Sequence, residues 1–350
     1  MWNISYFLRL VVCPRSTAMK KQCVQVDKKK GEHVRKALME KGSLDTTVHI
    51  ASDERYIYIP LIPDADLTDI PLENAQVIEH EFMLHEKQAT LEHILGYIPK
   101  YEMIGSIALL GPEETDIERA ANALLQVNPH IKTVLAALSP VEGEFRTRRF
   151  IFINGENTTQ TIHKEHGCRY AIDMEKVYFT PRLATERSRI LEQIKDGEVV
   201  VDMFAGVGPF SILIAKNRPS CRVMAIDKNP EAVKFLRYNT ALNAVSNVET
   251  IEGDAKEEVR KYARIADHII MNLPHTAQGF LDASMMIAKP GTVIHYYDIT
   301  PEDDLYSASL GHIEAAAHRA GFSTDTVSTR IVRSYSPHQF NVCIEVRITG

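Results

Sequence analysis

One stretch constrains this chain more than any other: Val199-Val200-Val201-Asp202-Met203-Phe204-Ala205-Gly206-Val207-Gly208-Pro209-Phe210. A near-continuous β-branched run reads as a strand buried on both faces, and glycines directly after it let the backbone approach a ligand at the strand's carboxyl end. The stretch predicts a nucleotide-cofactor site, and so an enzyme. Its surroundings agree. Strand-like Arg222–Asp227, Val248–Ile251, His268–Met271 and Thr292–Tyr297 alternate with helical segments, one opened by Asn229 as cap and Pro230 at its first position. Regular alternation implies a doubly wound parallel sheet over residues 177–350. The last two runs, Thr326–Val332 and Val342–Ile348, have no helix between them and predict an antiparallel closing hairpin at the sheet edge.

Two smaller α+β segments are expected upstream. The first covers 19–88: Gln22–Val26 alternates like a strand, Gly31–Met39 looks helical, and Thr47–Ile50 and Tyr56–Pro60 look like strands. The second, 89–176, has strand-like Ile107–Leu110, a helix from Asp116 to Leu125, strand-like Thr133–Ala137 and Arg148–Ile153, then two runs joined by Glu165-His166-Gly167, which has the composition of a hairpin turn. Residues 1–18 lack periodicity and read as an extension, either disordered or upstream of a true start at Met19.

With 350 residues and a net charge of -6, the chain has no broadly basic coat, so a nucleic-acid partner would be held by local clusters such as Lys28-Lys29-Lys30 or Arg146, Arg148 and Arg149. Five scattered cysteines without a C-x-x-C spacing suggest free thiols in a reducing, cytoplasmic setting. No apolar run reaches the roughly 18 residues of a membrane helix. The histidines show no metal-ligand spacing, so no metal is expected.

The turn Gly206-x-Gly208-x-x-Ser211 lacks the third glycine of the dinucleotide fingerprint. Asp227, about 20 residues on at the end of the next strand, stands where an acid takes ribose hydroxyls. Asp254, after the third strand, is in position to reach an adenine amino group. Hydroxyls and an exocyclic amine are donors, and carboxylates are the matching acceptors. With Asp202 before the turn and no diphosphate to seat, the pattern suits S-adenosylmethionine better than NAD. The fourth strand ends in Asn272-Leu273-Pro274-His275, where an Asn amide offers both donor and acceptor to a nucleobase edge. Between Leu183 and Ile194, Glu186 and Arg187 fall on the apolar face of a helix, with Arg189 on the polar side. Such inward charges are either an internal ion pair or residues of a cleft.

Assembled, these motifs resemble the tRNA guanine-N1 methyltransferases that modify the guanosine just 3′ of the anticodon, position 37, in archaea and eukaryotes, and the archaeal members most closely. The resemblance runs from about Met19 and is densest at Gly143–Arg146, Ile162–Glu165, Val177–Leu183, Glu186-Arg187, Val200–Ser211, Met271–Pro274 and Val293–Tyr297. It implies a Rossmann-like class I methyltransferase domain after the two smaller α+β domains, and a monomeric enzyme that uses S-adenosylmethionine without a metal and supports reading-frame maintenance. It implies donor contacts from Arg187, Phe204, Asp227, Lys228, Asp254, Ala255 and Asn272, a catalytic carboxylate at Glu186 and an essential arginine at Arg146. Tyr178, Asn272 and Pro274 would shape the pocket for the target base, with tRNA held at its anticodon stem-loop and, by the N-terminal module, at its outer corner. The chemistry is coherent with those residue types: guanine N1 carries a proton, so methyl transfer needs a base at that proton and a cation near O6. Two alternatives stand beside it: a wyosine-pathway enzyme on the same fold, either an aminocarboxypropyl transferase or a methyltransferase acting on a later intermediate, and a non-catalytic RNA-binding protein on this scaffold.

Overall fold

The computed structural model describes residues 18–72, 75–84, 89–139 and 141–350. They form two compact units, one ending at Ala89 and one running from Thr90 to Gly350. The expected 1–18 extension lies outside the described residues except for Ala18, which opens the first strand.

The first unit is a four-stranded antiparallel sheet of β1 (Ala18–Asp27), β2 (Ala51–Ser52), β3 (Tyr56–Pro60) and β4 (Gln76–Met83), in the order β2-β3-β1-β4. Helix α1 (Lys28–Glu40) starts where the Asp27 side chain accepts from the Lys29 amide, and it buries Val34 and Leu38 against Val24, Val26 and Ile59. Thr47–Ile50 is not the expected strand. Only Val48 pairs, in an isolated bridge to Leu84, because Asp45 turns the chain by accepting from the Thr47 amide and hydroxyl.

The second unit begins with α2 (Leu91–Leu95) and a sheet of β5 (Tyr101–Ile104), β6 (Ile107–Leu110), β7 (Thr133–Ala137) and β8 (Phe150–Gly155), with α3 (Ile117–Val127) packed on it. A separate hairpin follows, β9 (Gln160–Glu165) and β10 (Cys168–Asp173). Its two-residue turn, His166 and Gly167, has φ of 46° and 74°, the left-handed pair that the strands' twist demands.

After α4 (Ala184–Gln193) comes the large sheet: β11 (Val199–Asp202), α5 (Pro209–Asn217), β12 (Arg222–Asp227), α6 (Pro230–Leu242), β13 (Val248–Glu252), α7 (Ala255–Glu258), β14 (Ala266–Met271), α8 (Leu281–Ile287), β15 (Ala288–Pro301), α9 (Ser307–Arg319), β16 (Ser323–Ser336) and β17 (Gln339–Thr349). The strand order is β13-β12-β11-β14-β15-β17-β16, parallel through β15 and antiparallel thereafter. The expected closing hairpin is therefore present, with β17 slotted inside and β16 at the edge. Hairpin β9–β10 does not stand apart from this sheet: Cys168, Tyr170 and Ile172 share a core with Ile107, Leu135, Val207, Ile212 and Leu236. Asn239 on α6 fixes it, accepting from the Ala171 amide at 2.7 Å and donating to the Ala171 and Val207 carbonyls. No described helix is long and apolar enough to cross a membrane.

Candidate active site

Strand β11 ends in Asp202, and the chain then turns through Gly206 (φ +56°) and Gly208 (φ +91°) into α5. A side chain at Gly208 would collide with Leu236 and Ile212, whereas one at Gly206 would make only an ordinary contact with the Tyr178 carbonyl, so the first glycine is favoured by its φ and the second lets helix meet sheet. Asp202 does not line the cleft. One of its oxygens accepts from Ser211 at 2.7 Å, the other has no partner, and burial pushes the carboxyl up to about 7. Of the three strand-end acids, this one holds the turn.

Asp227 and Asp254 do line it. Asp227 accepts the Gly206 amide at 2.6 Å on one oxygen and the Asn229 amide at 2.8 Å on the other, leaving lone pairs free on both for two hydroxyls. Burial outweighs those two bonds and raises its pKa. Asp254 caps α7 through the Lys256 amide and sits 3.4 Å from Lys228, which also donates to Glu144 at 2.6 Å. Ala255, Phe204 and Phe280 supply an apolar wall, the two rings edge-to-face at 4.8 Å. This set fits an adenosine: acceptors at ribose and amino positions, aromatic faces beside the base, and a glycine turn that admits the backbone.

Across the cleft, Asn272, Leu273 and Pro274 leave the end of β14. Arg146 meets them there. It is held at φ +53°, a left-handed conformation unusual for a non-glycine residue, with its guanidinium 5.0 Å from the centre of the Tyr178 ring and donating to the Pro274 carbonyl at 3.4 Å. Residues far apart in sequence thus share one pocket.

The two inward charges of α4 separate. Arg187 lines the cleft and is clamped by Glu165 through two 2.6 Å bonds, with Phe179 under its guanidinium. Burial alone would raise the Glu165 carboxyl, but His163 and Arg187 bring it down to about 2. Glu186 is not among the cleft-lining residues, contrary to its expected place. Its carboxylate, on a residue only 4% exposed, accepts from Arg189 at 2.6 and 3.0 Å and from the Tyr297 hydroxyl at 2.9 Å, with Arg330 at 3.8 Å. Burial raises its pKa, yet the Arg189 bonds win and hold it below the ordinary range. Arg189, read as a surface residue, turns inward because Glu345 on β17 also takes it, at 2.9 Å. An i,i+3 spacing allows that pairing, but the acid that draws Arg189 in is 156 residues away and invisible to local periodicity. Sequence reading also missed Ile299, Arg333, Tyr335 and Asn341, which close the cleft from the β15, β16 and β17 side.

A glycine turn between strand-end acids, on a sheet ending in an antiparallel pair, defines a class: S-adenosylmethionine-dependent methyltransferases of the doubly wound type. The chain belongs, more narrowly, to the TRM5/TYW2 family. The TRM5/TYW2 methyltransferase domain matches residues 161–324, and the tRNA methyltransferase 5 N-terminal domain matches 23–69. Over 332 residues, 93% of this chain and 98% of the relative, it is 41% identical to tRNA (guanine(37)-N(1))-methyltransferase Trm5b of Pyrococcus abyssi. The crystal structure of that organism's Trm5b superposes with a TM-score of 0.68, covering 94% of this chain and 100% of the other at 39% identity. A solved complex of aTrm5 with tRNALeu has a TM-score of 0.66 at 32% identity, covering 93% and 99%. The tRNA(Phe) (4-demethylwyosine(37)-C(7)) aminocarboxypropyltransferase of Methanocaldococcus jannaschii is 32% identical, but over 71% of this chain.

Proposed function

We infer that this chain is an S-adenosylmethionine-dependent tRNA methyltransferase acting on N1 of guanosine 37. The observation that carries the reading is the joining, in one cleft, of the Asp227–Asp254 adenosine cradle with the Asn272–Pro274 and Arg146–Tyr178 wall. S-adenosylmethionine supplies a methyl group on a sulfonium that departs as a neutral thioether. The chain's own residues do the rest. Asp227 holds ribose hydroxyls, Asp254 the adenine amine, and Phe204 and Ala255 flank the base; Arg187, Lys228 and Asn272 complete the donor contacts. Tyr178, Asn272 and Pro274 receive the extruded guanine, and Arg146 faces its O6, where negative charge grows as N1 is alkylated.

Glu186 takes the N1 proton. A carboxylate held below its ordinary pKa by Arg189 is a poor base. We therefore place its activation after RNA binding, when Arg189 turns from Glu186 toward the substrate and burial raises the carboxyl. The half-buried Arg189 and part-exposed Arg330 are the cations positioned to make that exchange. Within the same reading, residues 19–88 contact the outer corner of the tRNA, 89–176 flank the cleft, 177–350 carry the chemistry on the anticodon stem-loop, and the enzyme is a cytoplasmic monomer.

The test incubates the protein with labelled methyl donor and unmodified tRNA carrying G or A at position 37, followed by nucleoside mass spectrometry. N1-methylguanosine from the G37 transcript alone is expected. Absence of that nucleoside defeats the reading, and transfer of the aminocarboxypropyl arm would replace it with the wyosine alternative.

A further inference from the structure

The far wall of the cleft is built by three adjacent strands in register. Asn341 on β17 lies opposite Ile299 of β15 on one side and Arg333 of β16 on the other, and all three side chains line the cleft. Two buried polar atoms in this wall have no partner: Nε of Arg333 and Oδ1 of Asn341, a residue only 2% exposed. Leaving a buried donor and a buried acceptor unmet costs about 1–3 kcal/mol each, so a fold keeps them where something else satisfies them.

The charge pattern points the same way. Among the described residues, the cleft-lining cations are Arg146, Arg187, Lys228 and Arg333. Arg187 is neutralised by Glu165, and Lys228 by Glu144 and Asp254. Arg146 has the Tyr178 ring and a carbonyl. Arg333 alone has neither an acid nor a ring. Next to it at the mouth, the His275 and Tyr335 rings meet edge-to-face at 5.3 Å, with His275 at φ +80° and Tyr335 exposed. A free guanidinium, an unmet amide acceptor and an aromatic ledge are the complements of a phosphate, a 2′-hydroxyl and a base face.

We propose that Arg333, Asn341 and the His275–Tyr335 pair form a ribonucleotide subsite that grips the RNA strand at the extruded guanosine. Arg333 donates to a phosphate, Asn341 accepts from a ribose 2′-hydroxyl, and a neighbouring base rests on Tyr335. The proposal rests on the tRNA methyltransferase reading and names how that same cleft holds its substrate.

The test uses the full chain with G37 tRNA, measuring KM for tRNA and the salt dependence of tRNA affinity. Arg333→Gln should weaken tRNA about tenfold at low salt and flatten the slope of log affinity against log salt by about one, with donor Kd as in the wild type. Arg333→Lys should restore the slope. Asn341→Ala should weaken tRNA without touching the slope, and a single 2′-deoxy substitution at the target or a flanking nucleotide should produce the same loss, non-additively with Asn341→Ala. An active wild type with an unchanged slope in Arg333→Gln, or additive losses for Asn341→Ala and every deoxy substitution, overturns the subsite and leaves the methyltransferase reading intact. A wild type that does not methylate G37 tRNA overturns the reading beneath it.

Discussion

The two sides of the cleft are built on different principles. On the donor side, Asp227 and Asp254 sit at the ends of neighbouring parallel strands, each fixed by backbone amides two residues away or across the glycine turn. On the substrate side, Arg146 comes from a loop 128 residues before its Pro274 partner, and, outside the cleft lining, Glu186 is tied to Tyr297 and Arg189, with Arg189 tied in turn to Glu345. Asp227 keeps a free lone pair on each oxygen as folded. Glu186 is engaged by Arg189, and the proposed mechanism requires that this ion pair open.

Breaking each pairing should sharpen that contrast. Glu165→Ala strands the buried Arg187, at an expected cost of about 3–5 kcal/mol in folding free energy, read by urea unfolding; no change would mean the pair is a bystander. The same pair sets an acid limit. Because the folded carboxyl titrates at about 2, its contribution is present above the ordinary carboxylate range and lost as pH falls toward that value. Arg146→Ala should slow single-turnover methyl transfer by about 10²–10³ with donor binding retained, and an equal loss of donor affinity would move Arg146 to the other side of the cleft.

Asp227→Ala should weaken the methyl donor by about 10- to 100-fold, as the loss of a charged hydrogen-bond acceptor implies; the rate at saturating donor should fall less. The smallest effect is the most specific. Arg189→Gln removes the partner that lowers Glu186 in the resting enzyme, leaves burial to dominate, and should move the acid limb of the kcat/KM pH profile, which reports the free enzyme, upward. A limb that stays put would show that Glu186 is not the titrating base.

The same contrast explains what was legible in the sequence. Strand, glycine turn, cap and strand-end acid lie within a few residues of one another, so periodicity and turn chemistry expose them, down to the Asn229 cap and the His166-Gly167 turn. The family resemblance added Tyr178 and the essential role of Arg146, which no local pattern joins to the cleft. Helical period marked Glu186 and Arg187 as inward-facing but could not say that they face different neighbours. Glu345, Tyr297, Arg333 and Asn341 went unread because their roles arise from strand pairing at the far edge of the sheet, where register is fixed by tertiary packing. Thr47–Ile50 failed for a related reason: an alternating run became a turn once Asp45 captured the Thr47 amide.

The central claim is that a carboxylate outside the resting cleft performs the proton transfer. Glu186→Gln tests it most directly, with single-turnover methyl transfer to G37 tRNA measured beside donor Kd and Tm. The expected result is a rate lower by about two orders of magnitude or more, in the range of a lost general base, with donor Kd unchanged and Tm little altered, since Gln keeps the size and an acceptor for Arg189. A rate equal to wild type, or one that falls only in step with Tm and donor affinity, would contradict it and leave Glu186 as a structural ion-pair residue.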